Sequence, residues 1–126
     1  MIDFENASFI RLSKTDINRS FHADLIDEML LDDEEVFEIY TGLRDGIIFT
    51  NKRLITINVQ GFTGKKKNYT FIPYNKIQVY SIETAGTFDL DCELSILVSG
   101  IGEIKFEFTH NSDISYIVKH IGECIS

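Results

Sequence analysis

Apolar and polar residues alternate with a period of two through the middle of the chain, the pattern of β-strands with one buried face. Seven such segments lie within residues 35–109. The clearest are the sixth, with Leu94, Ile96 and Val98, and the seventh, with Ile104, Phe106 and Phe108. Short polar turns separate the segments, so we predict antiparallel strands joined as hairpins.

The five earlier strands are predicted from shorter alternations. Asp45-Gly46 is a hairpin signal, because both residues tolerate a positive φ. The only proline, Pro73, cannot donate to a sheet ladder and belongs at an edge, a strand end or a bulge. The apolar positions include Phe37, Ile39 and Leu43 in the first strand, Ile55, Ile57 and Val59 in the third, and Ile77, Val79 and Ile82 in the fifth.

Two flanking segments have helical periodicity instead. Ser13 is placed to cap a helix, and an apolar stripe follows at helical spacing, so we predict an N-terminal helical segment over residues 13–31. Near the other end, Asn111 or Ser112 can cap a second amphipathic helix, predicted over residues 112–125. The stripe of the first is Ile17, Phe21, Leu25 and Met29, and that of the second is Ile114, Ile117, Val118, Ile121 and Ile125.

These elements fit a single domain spanning residues 1–126. A chain of this length buries roughly two-thirds of its unfolded surface, which is enough for one core and too little for two ordinary domains. Seven short strands over residues 35–109 would curl around that core. The C-terminal helix would then close an open end of the sheets.

Charged residues are unevenly distributed along the chain, which bears on the kinds of partner the protein could have. The net charge is -8 overall, made of -8 over residues 1–41, +6 over residues 42–82 and -6 over residues 83–126. The overall surplus of acidic residues argues against nucleic-acid binding, which draws much of its affinity from neutralising phosphates. A basic middle segment must instead lie beside acidic flanks, within one molecule or between neighbouring copies.

Five residues of the chain are assigned to turns. They are Gly46, Asn51, Gly61, Gly64 and Gly86. Gly61-x-x-Gly64-Lys65 superficially resembles a phosphate-binding loop, but that motif needs a longer spacing and a following helix. We therefore interpret this stretch as a glycine-containing hairpin with a solvated lysine tip.

Four motifs in a fixed order resemble the bacterial pleckstrin homology (PH) domain family. They are Phe49-Thr50-Asn51-Lys52-Arg53-Leu54-Ile55, Gln60-Gly61-Phe62-Thr63-Gly64-Lys65-Lys66, Ile72-Pro73-Tyr74, and Glu83-Thr84-Ala85-Gly86-Thr87-Phe88-Asp89-Leu90-Asp91. The resemblance implies a PH-like, seven-stranded, partly open antiparallel barrel of two near-orthogonal sheets, capped by the C-terminal helix, with an added N-terminal helix. It also implies a non-enzymatic protein that assembles into closed homo-oligomeric rings.

Eukaryotic PH domains hold phosphoinositide headgroups with basic residues between their first two strands. The corresponding turn here is Arg44-Asp45-Gly46, in which one base stands beside one acid. The basic cluster, Lys65, Lys66 and Lys67, lies instead between the third and fourth predicted strands. A lysine cluster of this kind can attract anionic lipid or another anion, with membrane contact that is at most peripheral.

Residues able to bind metals or perform catalysis occur without a supporting pattern. Cys92 and Cys124 form no CxxC pair, so we expect reduced thiols. His120 stands one helical turn before Cys124, but two ligands do not make a closed metal site, which favours core packing. We predict no metal, no cofactor and no catalytic residue.

Two polar stretches remain candidates for interaction. Asp32-Asp33-Glu34-Glu35 is interpreted as a solvated turn. Thr50-Asn51-Lys52-Arg53 is either a turn exit or a contact in which Lys52 or Arg53 binds an anion, since arginine can grip a carboxylate at two points.

Asp89, Asp91 and Glu93 alternate, yet they lack the spacing of a calcium-binding loop, so a partner surface is favoured. We hypothesise that acidic residues, with Glu83, Asp89 and Asp91 as candidates, meet Lys65, Lys66 and Lys67 of a neighbouring copy.

We therefore expect a cytoplasmic, non-catalytic module that forms a ring with copies of itself and serves as a scaffold or adaptor for an unidentified protein partner. The cytoplasm is expected because the chain start lacks the basic and apolar regions of a secretory signal and no apolar stretch is long enough to span a bilayer. The alternative is a weak anion-binding or membrane-surface module that uses the lysine loop.

Overall fold

A computed structural model of the chain describes Phe4 and residues 9–16, 27–60, 66–84, 91–109 and 113–125. Within these ranges the chain forms eight strands, a short 3-10 turn and a C-terminal helix. The strands are β1 (Ser13–Thr15), β2 (Val36–Thr41), β3 (Asp45–Thr50), β4 (Arg53–Gln60), β5 (Lys66–Pro73), β6 (Ile77–Thr84), β7 (Cys92–Val98) and β8 (Gly102–Phe108). The 3-10 turn is Tyr74–Lys76 and the helix is Ile114–Ile125.

The strands form two antiparallel sheets, one in the order β1-β2-β3-β4-β5 and one in the order β6-β7-β8. The seven predicted strands correspond to β2 through β8, so the predicted fold class, an open barrel of two sheets with a C-terminal helix, is confirmed. Pro73 is the last residue of β5, which lies at the edge of the five-stranded sheet. This place fits a residue that cannot donate to a ladder.

The additional strand β1 corrects the helix predicted from residue 13. Ser13–Thr15 pairs with β2, with Ser13 opposite Thr41 and Thr15 opposite Ile39. The hydroxyl groups of Thr15 and Thr41 are hydrogen-bonded at 2.6 Å. The polar residues that suggested a helix cap therefore form an edge strand, because they pair with the edge of β2 that would otherwise be open. Residues 27–29 are helical, and residues 17–26 of the predicted stripe lie outside the described part.

Residues just before β1 join the two sheets. The Leu12 amide donates to the Glu107 carbonyl oxygen at 2.9 Å, the Glu107 amide donates to Phe9 at 2.8 Å, and the Thr109 amide donates to Leu12 at 2.9 Å. Phe9 and Leu12 are buried in the core. The N-terminal segment thus closes one side of the barrel, between β2 and β8.

The main core lies between the two sheets. Apolar side chains of both inner faces and of the helix meet there, and the tyrosine ring of Tyr40 packs edge-on against Phe49 and Phe108, with centroids 5.9 and 5.0 Å away. The predicted apolar positions of β7 and β8 are all buried. These include Leu94, Ile96, Val98, Ile104, Phe106 and Phe108.

A second apolar cluster covers the outer face of the five-stranded sheet. Ile39, Ile48, Ile55 and Ile57 are buried there, and partly buried Leu30, Val36 and Tyr69 pack against them. This sheet is therefore buried on both faces, which explains why every residue of β3 is buried. A strand of this kind shows a continuous apolar run and little alternation.

Three predicted strand positions differ in the structure. Phe37 is 42% exposed, because the pairing of β2 with β3 shifts register between Val36 and Glu38. Leu43 lies in the turn between β2 and β3 and is 96% exposed. Asp45 and Gly46, which were predicted to form that turn, are instead the first two residues of β3, where Gly46 is paired with Thr41 and Ile57. Val79 is 57% exposed, because the pairing of β6 with β7 shifts register between Ile77 and Val79. The shift turns Tyr80 and Ile82 toward the core.

The C-terminal helix is confirmed, with Ile114, Ile117, His120 and Ile121 buried. It begins two residues later than predicted, and its capping group is the carboxylate of Asp113, which accepts a hydrogen bond from the Tyr116 amide at 3.1 Å. The predicted caps, Asn111 and Ser112, lie outside the described residues.

Candidate interaction surfaces

The turn between β3 and β4 is tied to the acidic stretch 32–35. The Asn51 side chain accepts a hydrogen bond from the Glu35 amide at 2.8 Å and donates one to the Asp33 carbonyl oxygen at 3.1 Å. Asn51 therefore lies in the turn between β3 and β4, and its side chain also hydrogen-bonds the segment that leads into β2. Lys52 forms a surface ion pair with Asp33 at 2.8 Å, and this hydrogen bond lowers the pKa of Asp33.

Arg53 grips Glu34 at two points. Its Nε and Nη2 atoms donate to the two carboxylate oxygens, each at 2.9 Å, and the Glu34 side chain is fully buried. Thr50 Oγ1 donates to Glu34 at 2.7 Å. Burial acts to raise the pKa of Glu34, but the hydrogen bonds from Thr50 and Arg53 outweigh it and hold that pKa below its ordinary value.

The two-point arginine contact, which was the predicted alternative to a simple turn exit, is made with Glu34 of the same chain. Of the stretch predicted as a solvated turn, Asp32, Asp33 and Glu35 are exposed, and Glu34 is the exception. The buried ion pair of Glu34 was not predicted from the sequence, because the spacing of Glu34 and Arg53 along the chain does not indicate that they meet at one end of the sheet.

Tyr74 and His120 join the C-terminal helix to the end of β3. The Tyr74 hydroxyl donates to the Thr50 carbonyl oxygen at 2.6 Å, and His120 Nε2 lies 2.9 Å from the same oxygen. His120 Nε2 also lies 2.9 Å from the Tyr74 hydroxyl. Cys124 Sγ lies 3.6 Å from Nε2, and burial raises the pKa of this thiol. Tyr74 and His120 are buried, and Cys124 is half-buried beside them.

The two lysines of the predicted lysine loop that the structure describes lie at one end of the five-stranded sheet. Lys66 and Lys67 begin β5, opposite Gln60 and Val59 at the end of β4. Lys66 is exposed and Lys67 is half-buried. The remaining predicted residues of that loop, Lys65, Gly61 and Gly64, lie outside the described residues.

The outer face of the three-stranded sheet carries a row of three carboxylates. Glu83 is paired with Glu93, and Glu93 with Glu107. With Asp91 they line a shallow recess of about 320 Å³. The structure thus brings the predicted Glu83 and Asp91 together with Glu93, which the sequence grouped with Asp91, and with Glu107, which it did not place. Asp89 and Gly86 lie outside the described residues.

We call Glu83, Glu93 and Glu107 the acidic row. Like charges opposite one another on a sheet destabilise it, so the row favours a cationic neighbour. In the described part of the chain, no group of three or more His, Cys, Asp or Glu residues could hold a metal ion.

Strands β5 and β6 are consecutive in the chain but belong to different sheets. In the described residues each is paired on one side only, β5 with β4 and β6 with β7. Their outward side chains include exposed apolar residues, Phe71 on β5 and Val79 on β6. The barrel is therefore open between these two edges.

An open barrel of two antiparallel sheets closed by a C-terminal helix defines a PH-like domain. The family model described as the bacterial PH domain matches residues 3–125. The chain therefore belongs to the bacterial PH domain family. No helix of the described residues is long and apolar enough to cross a membrane.

Two proteins of Bacillus subtilis (strain 168) are similar in sequence, and both are described as uncharacterized. YjqA is 51% identical over 72 residues, covering 57% of this chain and 58% of YjqA. YozO is 35% identical over 101 residues, covering 80% of this chain and 87% of YozO. The match thus spans less than two thirds of YjqA and most of YozO.

Crystal structures of two relatives share the fold. The first, a DUF1696 family protein with a PH domain from Shewanella loihica PV-4, has a TM-score of 0.79 and 35% identity, covering 93% of this chain and 99% of that one. The second, a PH domain from Shewanella amazonensis SB2B, has a TM-score of 0.65 and 40% identity, covering 90% and 91%.

Proposed function

We propose that this chain is a non-catalytic PH-like module that assembles head-to-tail with copies of itself into a ring and acts in the cytoplasm as a scaffold or adaptor for a protein partner. The observation that supports this most is the pair of open edges, β5 and β6. Open edges are templates for pairing with another chain. Because the two edges differ, their contact is heterologous, and such contacts close into rings when the rotation allows.

The side chains of the two edges complement each other in one antiparallel register. Pairing Lys67 with Glu83 places Phe71 opposite Val79, so a charge meets its opposite and one exposed apolar residue meets another. Phe71 lies opposite Ile55 of the outer cluster, and Val79 lies opposite the exposed Leu97, so both face outward. A β5 strand from one copy can thus continue the outer face of β6 in the next.

Charge supports the same arrangement. The acidic row runs inward from β6, so a neighbouring lysine at that edge would relieve the repulsion within it. Surface attractions of this kind set orientation and weaken as salt is added.

The buried ionisable side chains support a non-catalytic role, because they are engaged in structural hydrogen bonds. Glu34 and Arg53 bind each other, and Tyr74 and His120 share one carbonyl oxygen. Each is held by a structural hydrogen bond at a junction between elements.

A charge exchange tests the edge contact. We expect Lys67→Glu or Glu83→Lys alone to weaken self-association about tenfold, because each places like charges opposite one another. The double variant should restore association. The measurement is the concentration dependence of mass by analytical ultracentrifugation.

Lys105→Glu is the matched control, since Lys105 is exposed on β8, at the opposite side of this sheet from the β6 edge, and pairs with Glu103. It should leave association unchanged. Association that survives both single reversals, or that the double variant fails to restore, would contradict the proposed edge contact.

A further inference from the structure

A recess of about 680 Å³ lies between strand β6 and the C-terminal helix. Tyr80 lines it from β6, and the residues that line it from the helix recur at spacings of three or four, so they share one side of that helix. Two of them, Lys119 and Glu123, are exposed and of opposite sign. The half-buried ones are Val118, Gly122 and Ile125.

Glycine at position 122 leaves room in this recess. A side-chain carbon there would lie 3.1 Å from the Tyr80 hydroxyl oxygen, which is closer than an ordinary contact. Tyr80 belongs to the inner face of β6, because it packs against the main core. The described residues that line the recess come from β6 and the helix and not from β7. The recess therefore opens beside the edge of β6 that is open in the described residues.

The outer face of the same edge has a different chemistry. Glu83 belongs to the acidic row, and the exposed Val79 is paired with the exposed Leu97. Side chains alternate between the two faces of a strand, so Glu83 and Val79 point outward while Tyr80 points inward. A strand added to β6 would thus meet a carboxylate and an apolar pair on one face and the recess on the other.

These two faces define the sequence of a strand that fits. In an antiparallel strand, the residue opposite Tyr80 points toward the recess, and the residue three positions earlier lies opposite Glu83 on the outer face. The recess suits a bulky apolar side chain, because Val118, Ile125 and the Tyr80 ring line it. Glu83 suits a lysine or an arginine. The fitting segment therefore has a basic residue three positions before a bulky apolar one.

Strand β5 of another copy meets only one of these two requirements. In the proposed register Lys67 lies opposite Glu83, which places Thr70 opposite Tyr80. Lysine supplies the opposite charge, but threonine is small and polar and fills little of the recess. A second copy is therefore the poorer occupant on the inner face.

We propose that the β6 edge and the recess form a groove for an extended segment of a partner protein. The segment adds to β6 as an antiparallel strand, packs a bulky apolar side chain against Tyr80 and Gly122, and pairs a lysine or arginine with Glu83. Backbone hydrogen bonds give such an added strand affinity, and pockets for alternate side chains give it specificity. The inference rests on the proposed adaptor role and supplies its partner chemistry. The segment competes with β5 of a neighbouring copy for one edge.

Two fluorescently labelled peptides test the groove. One has the sequence of residues 66–73, and the other carries Thr70→Leu within that sequence. Fluorescence anisotropy gives their affinities for the Lys67→Glu protein, in which β6 is unchanged and self-association through β5 is weakened. The Thr70→Leu peptide should bind about tenfold more tightly than the native sequence, because leucine is buried in the recess.

A change in the recess assigns this preference to the groove. In the Lys67→Glu protein, Gly122→Leu fills the recess and should make the two peptides bind alike. Ser115→Leu is the matched control, because Ser115 is exposed on the same helix and outside the recess, and it should keep the tenfold difference. Circular dichroism verifies that both variants are folded.

The charge requirement is tested on the peptide, so it does not depend on the folding of a protein variant. A third peptide combines Thr70→Leu with Lys67→Glu. It should bind about tenfold more weakly than the Thr70→Leu peptide, because it places a second carboxylate opposite Glu83.

Three outcomes would overturn the groove. They are equal affinity of the native and Thr70→Leu peptides, tighter binding of the native peptide, which would assign the edge to a second copy, and a leucine preference that survives Gly122→Leu. The mass of the wild type without peptide reports assembly separately. A monomeric wild type with the leucine preference would contradict the ring and support the groove, whereas an assembled wild type without that preference would contradict the groove alone.

Discussion

The contact between Glu34 and Arg53 could be predicted from the sequence in kind but not in partner. The pairing tendency of an arginine fork with a carboxylate is a property of the residue, and it predicts a two-point contact. The choice of carboxylate is a property of the fold, because Arg53 begins β4 while Glu34 precedes β2. Asn51 shows the same division. Its preference for a turn is a property of the residue, whereas its hydrogen bonds to Asp33 and Glu35 depend on the fold.

Removing the Glu34 charge should therefore destabilise the domain. We expect Glu34→Gln to lower the free energy of unfolding by about 3 kcal/mol at neutral pH, because Arg53 is left partly buried without its partner. Glu35→Gln, at the exposed neighbour, should change it by less than about 0.5 kcal/mol. Urea denaturation of the three proteins gives both differences.

The pH dependence of this difference has a defined sign. The pKa of Glu34 is lowered in the folded chain, so its stabilising contribution is complete above the ordinary value of 4.5 and is lost as pH falls through the lower folded value. Wild type and Glu34→Gln should therefore converge in stability in strong acid. A difference that stays constant with pH would show that the carboxylate charge is not the cause.

At the scale of elements, alternation predicted the strands with one buried face and the terminal helix. It failed for β1, because three residues are too few to establish a period and the polar residues there also fit a helix cap. It also misplaced Phe37, Leu43 and Val79, since a turn and two register shifts interrupt the alternation. The buried outer face of β3 was not evident, because burial depends on what packs against a sheet.

The closing role of the N-terminal segment is tested by two adjacent residues. Leu12→Ala should reduce the free energy of unfolding by about 3 kcal/mol, since Leu12 is fully buried between the sheets. Ile10→Ala should leave stability within about 0.5 kcal/mol of wild type, because Ile10 is half exposed. Thermal and urea unfolding provide the comparison, and equal effects at the two positions would contradict the described path of the segment.

At the scale of the molecule, the sequence shows that charge is segregated but not where the segments meet. The pairing of the strands places Lys66 and Lys67 at one end of the five-stranded sheet. It also aligns Glu83, Glu93 and Glu107, which are far apart in sequence, in one row. Two strand edges, β5 and β6, are left open in the described residues. In the proposed assembly these two edges pair with the edges of neighbouring copies.

The central claim is self-assembly, and absolute mass by light scattering behind a sizing column tests it most directly. At low salt we predict a single species at a multiple of 14.5 kDa. Raising the salt concentration should shift it toward smaller species, because screening weakens the pairing of lysines with glutamates. A mass of 14.5 kDa at every protein concentration and at low salt would contradict the account.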